Sequence, residues 1–466
     1  MNILVINGSP SGDDSVTLQT VLFIKEYFGR HEYTFINAGQ KIKAIEKDFS
    51  ETLEMLKKAD LILFCYPVYT FLVPSQLHRF IELIKEHDID LTGKYATQIT
   101  TSKHFYDVTA HEFIRENCKD LGLKYINGLS ADMEDLLDKK GRRDALSFFR
   151  HVLWCTKNDT YDREPLLKAD FKPVSVIVPE GEAGNKSTEK RIVIVTDMTD
   201  EKSALGMMID RFKRSVPYQC ETVDLSGFPF AGGCLGCFNC ASEGKCVYKD
   251  GFDDLLRNNI QTADATIYAF SIKDHSMGYT FKLYDDRQFC NGHRTVTMGK
   301  PVGYIVDGAV SLENNLKLVI KARAQVGNNY LTGIASNEHD TDRALDDLAK
   351  ETAYALRHDY SQPADFYGVG GLKIFRDLIY RMQGMMREDH RFYKKHGFYD
   401  FPQKHPGTII GMYAVGAIMS NPKLRKKMGG SMTKGMIMPY KKVIEKAKKN
   451  RKTGRETCRN SQKEEI

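Results

Sequence analysis

The chain is predicted to fold as two tandem α/β domains, each a doubly wound parallel sheet with helices on both faces, followed by a mainly helical C-terminal extension. Three observations carry that prediction. Short apolar runs alternate with helical-period segments from residue 2 to about residue 128, the pattern of strands that are buried on both faces. The alternation restarts at Arg191, a domain-length period rather than that of a short solenoid repeat. The length of 466 residues also exceeds what one hydrophobic core normally serves.

In the first half, residues 2–6 (NILVI) read as a strand ending in Asn7-Gly8-Ser9-Pro10, and a helix begins near Ser15. Strand, polar glycine loop and helix open an α/β unit. Further strands are expected at 32–36, 61–64, 95–100 and 124–128, with helices over 49–58, 74–85 and 111–121. Past Met133 a helical piece includes 148–154, and 171–178 reads as an extra strand. Residues 179–190 (PEGEAGNKSTEK) are polar and glycine-containing, as linkers are. The expected organisation is a first domain over 1–178, a linker over 179–190, a second domain over 191–360, a helical extension over 361–445 and a basic tail over 446–466.

In the second half, strands are expected at 191–196, 219–224, 265–270, 301–306 and 330–333. Helices are expected at 204–214, 252–259, 279–287, 312–323 and 341–356. The extension carries Met382, Met385 and Met386 among aromatics, then the apolar stretch 407–420. Met with aromatics reads as core filler.

A hydrophobic fraction of 42% with 27% charged residues is that of a globular protein. No apolar run reaches the roughly 18–20 residues of a spanning helix, and the N-terminus runs straight into a strand, so a cytoplasmic protein is expected. Residues 421–466 hold 15 Lys and Arg against 4 Asp and Glu, a balance of +11, which leaves the body at −5 of the net +6. That basic end reads as a solvated helix fraying into disorder. No aromatics are interleaved after Tyr440, which argues against a specific nucleic-acid partner; contact with an anionic membrane surface is the minor alternative.

Three loops at carboxyl ends of first-half strands form the candidate ligand crevice. In Gly8-Ser9-Pro10-Ser11-Gly12-Asp13-Asp14-Ser15-Val16-Thr17, the hydroxyls of Ser9, Ser15 and Thr17 and the following helix N-terminus suit an anion. The loop is neither a dinucleotide fingerprint nor a Walker loop. Pro67, Val68, Tyr69 and Thr70 can make a flat wall for a planar ring, and Thr101 and Ser102 would complete the pocket.

GSP followed by Ser and Thr, then a Pro-Val-Tyr loop before a helix, resembles the flavodoxin-like NAD(P)H-dependent FMN reductases over most of residues 1–130. The resemblance implies that Ser9, Ser15 and Thr17 hold the FMN phosphate and that Pro67, Val68, Tyr69 and Thr70 border the flavin ring; Pro10, Thr101 and Ser102 are counted with them as cofactor-binding residues. Family members often carry a Lys and an Asp-Arg pair on the next helix. Here that helix has His78-Arg79 and Glu82-Leu83 instead, whereas Lys282 and Asp286-Arg287 of the second half match. The second half's first loop gathers Asp197, Asp200 and Glu201 where a phosphate would lie, so no second flavin is expected.

Four of the ten cysteines, Cys234, Cys237, Cys240 and Cys246, fall at C-x2-C-x2-C-x5-C among glycines. Soft thiolates at that density suit iron or zinc, and reversibly oxidised thiols are the third reading. The spacing resembles the compact motif of the iron-sulfur flavoproteins, a branch of the same family, which implies a [4Fe-4S] cluster. The other cysteines read as incidental. The expected protein is an FMN-dependent oxidoreductase that moves electrons from NAD(P)H to a small-molecule or protein acceptor, built as an intramolecular pseudo-dimer or a homodimer. A non-enzymatic electron carrier or redox sensor is the alternative.

Overall fold

The computed structural model describes residues 1–166, 171–179 and 186–420, together with 423, 438, 440–445 and 448–449. Most of the basic tail, with Cys458, lies outside the described residues. The chain divides into two compact units, Met1–His396 and Gly397–Ile466.

The first unit contains two parallel sheets. One is built from β1 (Asn2–Asn7), β2 (Glu32–Ile36), β3 (Leu61–Pro67), β4 (Tyr95–Ser102), β5 (Lys124–Tyr125) and β6 (Leu129–Asp132), in the order β2-β1-β3-β4-β5 with β6 also beside β4. The other comprises β7 (Ser187–Thr196), β8 (Tyr218–Asp224), β9 (Ala265–Ser271), β10 (Pro301–Asp307) and β11 (Tyr330–Ser336), in the order β11-β10-β9-β7-β8. Taking β7 as the counterpart of β1, the second order repeats the first. Both are the 2-1-3-4-5 order of flavodoxin-like sheets. Strands such as Leu61–Pro67, buried along nearly all their length, explain why the continuous apolar runs were legible as parallel strands.

The first sheet is covered by α1 (Val16–Tyr27), α2 (Ala38–Lys47), α3 (Ser50–Lys58), α4 (Ser75–Glu86), α5 (Asp107–Asp120) and α6 (Lys139–Asn158). The second has α7 (Ala204–Ser215), the short α8 (Asn239–Glu243) and α9 (Phe252–Leu255), α10 (Gly278–Arg287), α11 (Asn314–Val326) and α12 (Thr341–His358). Then follow α13 (Phe366–Arg381) and α14 (Arg387–Lys395). Helix α4 of the first half packs on α10 of the second, and one hydrophobic core runs through both, from Leu77, Phe80 and Ile84 to Phe281 and Tyr284.

The structure corrects four expectations. Residues 171–179 form no strand; Val174 N donates only to Asn337 O, at 2.8 Å, so this stretch lies against the loop after β11 instead of joining a ladder. The strand expected over 124–128 stops at Tyr125, and the edge continues as β6. Helix α2 falls between two predicted elements. The helix expected over 252–259 opens into a π turn at Leu256–Ile260.

The second unit contains α15 (Pro406–Met419), with Ile410, Met412 and Tyr413 exposed. Among the described residues, no helix is long and apolar enough to cross a membrane.

Candidate functional site

At the end of β1, the Asn7 amide gathers the following loop. Its Nδ2 donates to Gly12 O at 2.8 Å and Asn37 Oδ1 at 3.0 Å, and its Oδ1 accepts from Ser9 N at 3.1 Å. Ser15 caps α1, accepting from Leu18 N. The hydroxyls of Thr17 and Thr101 meet at 2.6 Å, tying this loop to the one after β4. Hydroxyls and the α1 N-terminus therefore converge at one sheet edge, as an anion requires.

After β3, Tyr69 and Leu72 exchange backbone hydrogen bonds of 2.9 and 3.0 Å across a tight turn. Its central residues, Thr70 (φ 39°) and Phe71 (φ 71°), are left-handed, a conformation costing β-branched or bulky residues about 1–3 kcal/mol. The second half holds it in place. Lys282 Nζ donates to Tyr69 O at 2.9 Å and Thr70 Oγ1 at 2.5 Å, and pairs with Asp286, which also accepts from Thr70 Oγ1 and from Ser75 N at 2.7 Å. Lys282 and Asp286 are both fully buried. The Lys and Asp residues missing from α4 are thus supplied to the first half's loop by α10.

Arg287, the next residue, braces the cysteine loop. It pairs with both oxygens of Asp250, at 2.7 and 2.9 Å, donates to Gly232 O at 2.9 Å, and lies 4.4 Å from the Tyr248 ring centre. The cysteine loop reaches the first half, where Gln76 Nε2 donates to Cys234 O at 3.3 Å. At Gly236 (φ +64°) a Cβ would stand 2.0 Å from Tyr69 Oη. Gly236→Ala therefore meets both a backbone penalty and a clash. It should destabilise the protein by about 1–3 kcal/mol, read as a lower urea midpoint; an unchanged midpoint would show that the loop does not seat against Tyr69.

Both sets of loops line one cavity of about 300 Å³. Ser9, Ser15, Thr17, Pro67, Val68, Tyr69, Thr70, Thr101 and Ser102 line it together with Cys234, Cys237, Cys240 and Cys246. Pro10 is buried and is not part of this lining. Burial raises the Cys234 thiol well above its ordinary range and Cys240 to about 11, so neither is predisposed to ionise in the absence of a positive centre.

The cavity has further walls that sequence reasoning did not assign. Cys290, read as incidental, lines it, as do Phe289, His293 and Phe375. Phe375 of α13 lies 4.2 Å from the Phe105 ring and 4.5 Å from His293. Helix α13 thus lines the cavity through Phe375 and Leu378, which only its aromatic density signalled, and of the three methionines read as core filler only Met386 is buried, while Met385 is exposed. In the second half, the turn Lys273-Asp274-His275-Ser276 repeats the backbone of Tyr69–Leu72, with bonds of 2.9 and 3.0 Å and left-handed φ values at Asp274 and His275. Asp197, at its β1-equivalent edge, is pushed up to about 6, mainly by burial.

Residues 1–128 match the family described as NADPH-dependent FMN reductase. The iron-sulfur flavoprotein of Archaeoglobus fulgidus is 28% identical over 174 residues, 35% of this chain and 79% of that protein. Among solved structures, an FMN-dependent NADH-azoreductase from Bacillus anthracis in complex with FMN is 17% identical, with 34% of this chain and all of that one covered at a TM-score of 0.26. An NAD(P)H:quinone oxidoreductase from Methanothermobacter marburgensis is 14% identical, with 35% and 98% covered at 0.27.

Proposed function

We propose, on the premise that residues 1–128 belong to the NADPH-dependent FMN reductase family, that the chain is an FMN-dependent NAD(P)H oxidoreductase with a [4Fe-4S] cluster on the cysteine loop. The observation that carries this reading is the shared cavity, which the ten-residue flavin set, less Pro10, lines together with all four cysteines.

The residues fit both groups. Ser9, Ser15 and Thr17 present hydroxyls beside a helix N-terminus, the donor set a phosphate needs. The four cysteines lie on one cavity with Gly236 bringing the backbone close, and backbone N–H groups near thiolates tune a cluster. A zinc tetrahedron would instead need its sulfurs about 3.8 Å apart. The described residues hold two groups of three His, Cys or carboxylate ligand atoms within 4.8 Å of one another, and the cysteines belong to neither.

Bound FMN supplies uptake of two electrons as hydride from NAD(P)H, and a cluster supplies their single-electron release to an acceptor. The chain supplies placement. The hydroxyls of the first loop anchor the phosphate, and the Pro67–Val68–Tyr69 wall orients the ring. Phe105, Phe289 and Phe375 narrow the access of water. Lys282, fixed by its three acceptors, holds the ring loop in its left-handed turn.

An anaerobic absorption spectrum with iron and acid-labile sulfide analysis tests this reading. Flavin bands with about four iron and four sulfide per chain are expected; a colourless protein that takes up no FMN would sink it. NAD(P)H consumption with quinone or azo acceptors separates the enzyme from a carrier that exchanges electrons only with a protein partner. Thr17→Val should weaken FMN binding about 10- to 100-fold, the worth of one hydrogen bond to a charged group, measured by flavin fluorescence. An unchanged affinity would remove Thr17 from the phosphate site.

A further inference from the structure

The two halves place equivalent residues at equivalent positions, and one of the two resulting sites is chemically unexplained. In matching turns and helices, Thr70 corresponds to Asp274, Ser75 to Tyr279, Lys282 to His78 and Asp286 to Glu82. The backbone contact is conserved, since Ser75 N donates to Asp286 Oδ2 at 2.7 Å and Tyr279 N to Glu82 Oε1 at 2.8 Å. In the first site an ammonium, Lys282 Nζ, fills the space between the carboxylate and the turn. In the second site the turn residue is itself a carboxylate, and the lysine is replaced by a shorter imidazole. The cation between carboxylate and turn has gone and a second carboxylate has been added, and the lysines and arginine that pair with these carboxylates approach from outside.

The unsatisfied atoms point to what fills that place. His78 is 0% exposed, and neither ring nitrogen has a hydrogen-bond partner. Asp274 Oδ2 is likewise buried without a partner. Buried polar groups are rarely left so, because each costs about 1–3 kcal/mol. The His78, Glu82 and Asp274 ligand atoms all lie within 4.8 Å of one another, with His78 Nε2 4.0 Å from Glu82 Oε1. The outward oxygens are already occupied, Glu82 Oε2 by Lys273 at 3.0 Å and Arg79 at 3.1 Å, and Asp274 Oδ1 by Lys85 at 2.9 Å. Glu82 Oε1 accepts one hydrogen bond, from Tyr279 N, and keeps a lone pair near His78, while Asp274 Oδ2 has no partner at all; carboxylates held from behind beside a lone imidazole are the arrangement of supported metal ligands.

We propose that His78, Glu82 and Asp274 bind one divalent metal ion of nitrogen and oxygen preference, such as Zn(II) or Mn(II), which joins α4 of the first half to the β9–α10 turn of the second. One imidazole and two carboxylates match such ions and leave room for water in the coordination sphere. The ion takes the place that Lys282 Nζ holds in the other site, so one half of the interface is joined by an ammonium and the other by a metal. This inference does not depend on the flavin or the cluster.

The test uses the full chain, stripped with chelator and titrated with Mn(II) by electron paramagnetic resonance, with zinc uptake measured by elemental analysis. Mn(II) disfavours thiolates, which separates this site from the cysteine loop. One saturable equivalent is expected, retained in Cys237→Ser and weakened by more than about tenfold in both His78→Asn and Asp274→Asn. The metal should raise the thermal midpoint of the parent and of Cys237→Ser, but not of the two ligand variants. Asp274→Asn keeps the turn's size and hydrogen bonding, so it decides the matter if His78→Asn does not fold. No saturable uptake, or uptake that survives Asp274→Asn, or uptake lost only with the cysteines, would overturn the proposal.

Discussion

Asp286→Ala should lower the stability of the protein by about 3–5 kcal/mol, the cost of removing one partner of a buried ion pair. Lys282 would then stand fully buried among Tyr69 O and Thr70 Oγ1 without its countercharge. Ser75 N would also lose its acceptor at the start of α4. Because the pair joins α10 of one half to the ring loop of the other, the loss should also release the left-handed turn at Thr70 and Phe71 and weaken FMN retention. Adding Lys282→Met to Asp286→Ala should recover much of the stability, since replacing both members of a buried pair by apolar groups is often nearly neutral. Urea unfolding of the single and double variants checks this. A loss below about 1 kcal/mol in the single variant would mean that water reaches Lys282 and that the pair is not a joint between the halves.

The paired substitution Cys237→Ser with Cys240→Ser should abolish iron and sulfide, from about four each per chain to none, while FMN remains bound. The two cysteines line the same cavity but are not among the hydroxyl donors of the first loop, so their loss leaves the phosphate donors intact. Reduction of one-electron acceptors should fall by at least about tenfold, whereas hydride uptake from NAD(P)H, measured as flavin bleaching in a single turnover, should be retained. Iron analysis and stopped-flow absorbance separate these effects. Iron that stays at the parental level in the variant would show that the cysteine loop is not its ligand set; loss of FMN together with iron would show that the loop is part of the flavin wall.

Much of this site was legible because its parts are local. The hydroxyls of Ser9, Ser15 and Thr17 lie within one strand-to-helix connection, and the four cysteines within thirteen positions. The strands were legible because a parallel strand buried on both faces must be a nearly continuous apolar run. Helix α2 was less so, because its buried positions are the small Ala38 and Gly39 with Ile42, too sparse to mark an apolar stripe. The stretch over 171–178 has strand-like residues, but its backbone finds partners in a loop and not in a ladder. The cavity residues Phe289, His293 and Phe375 were not legible as site residues, since an aromatic side chain carries no sign in the sequence of whether it faces core or cavity.

By itself the sequence determined the two sheets, their repetition, and the chemical character of each loop, because hydrophobic period and residue type act over a few neighbouring positions. Only the tertiary structure decided which loops meet. Lys282 and Asp286 lie more than 200 positions from Thr70, yet they complete its turn because α4 and α10 pack against each other through one core. The same packing brings His78 and Glu82 to Asp274, and the cysteines to the hydroxyl loop. Contacts of this kind depend on how two buried surfaces fit, and no local pattern encodes that fit.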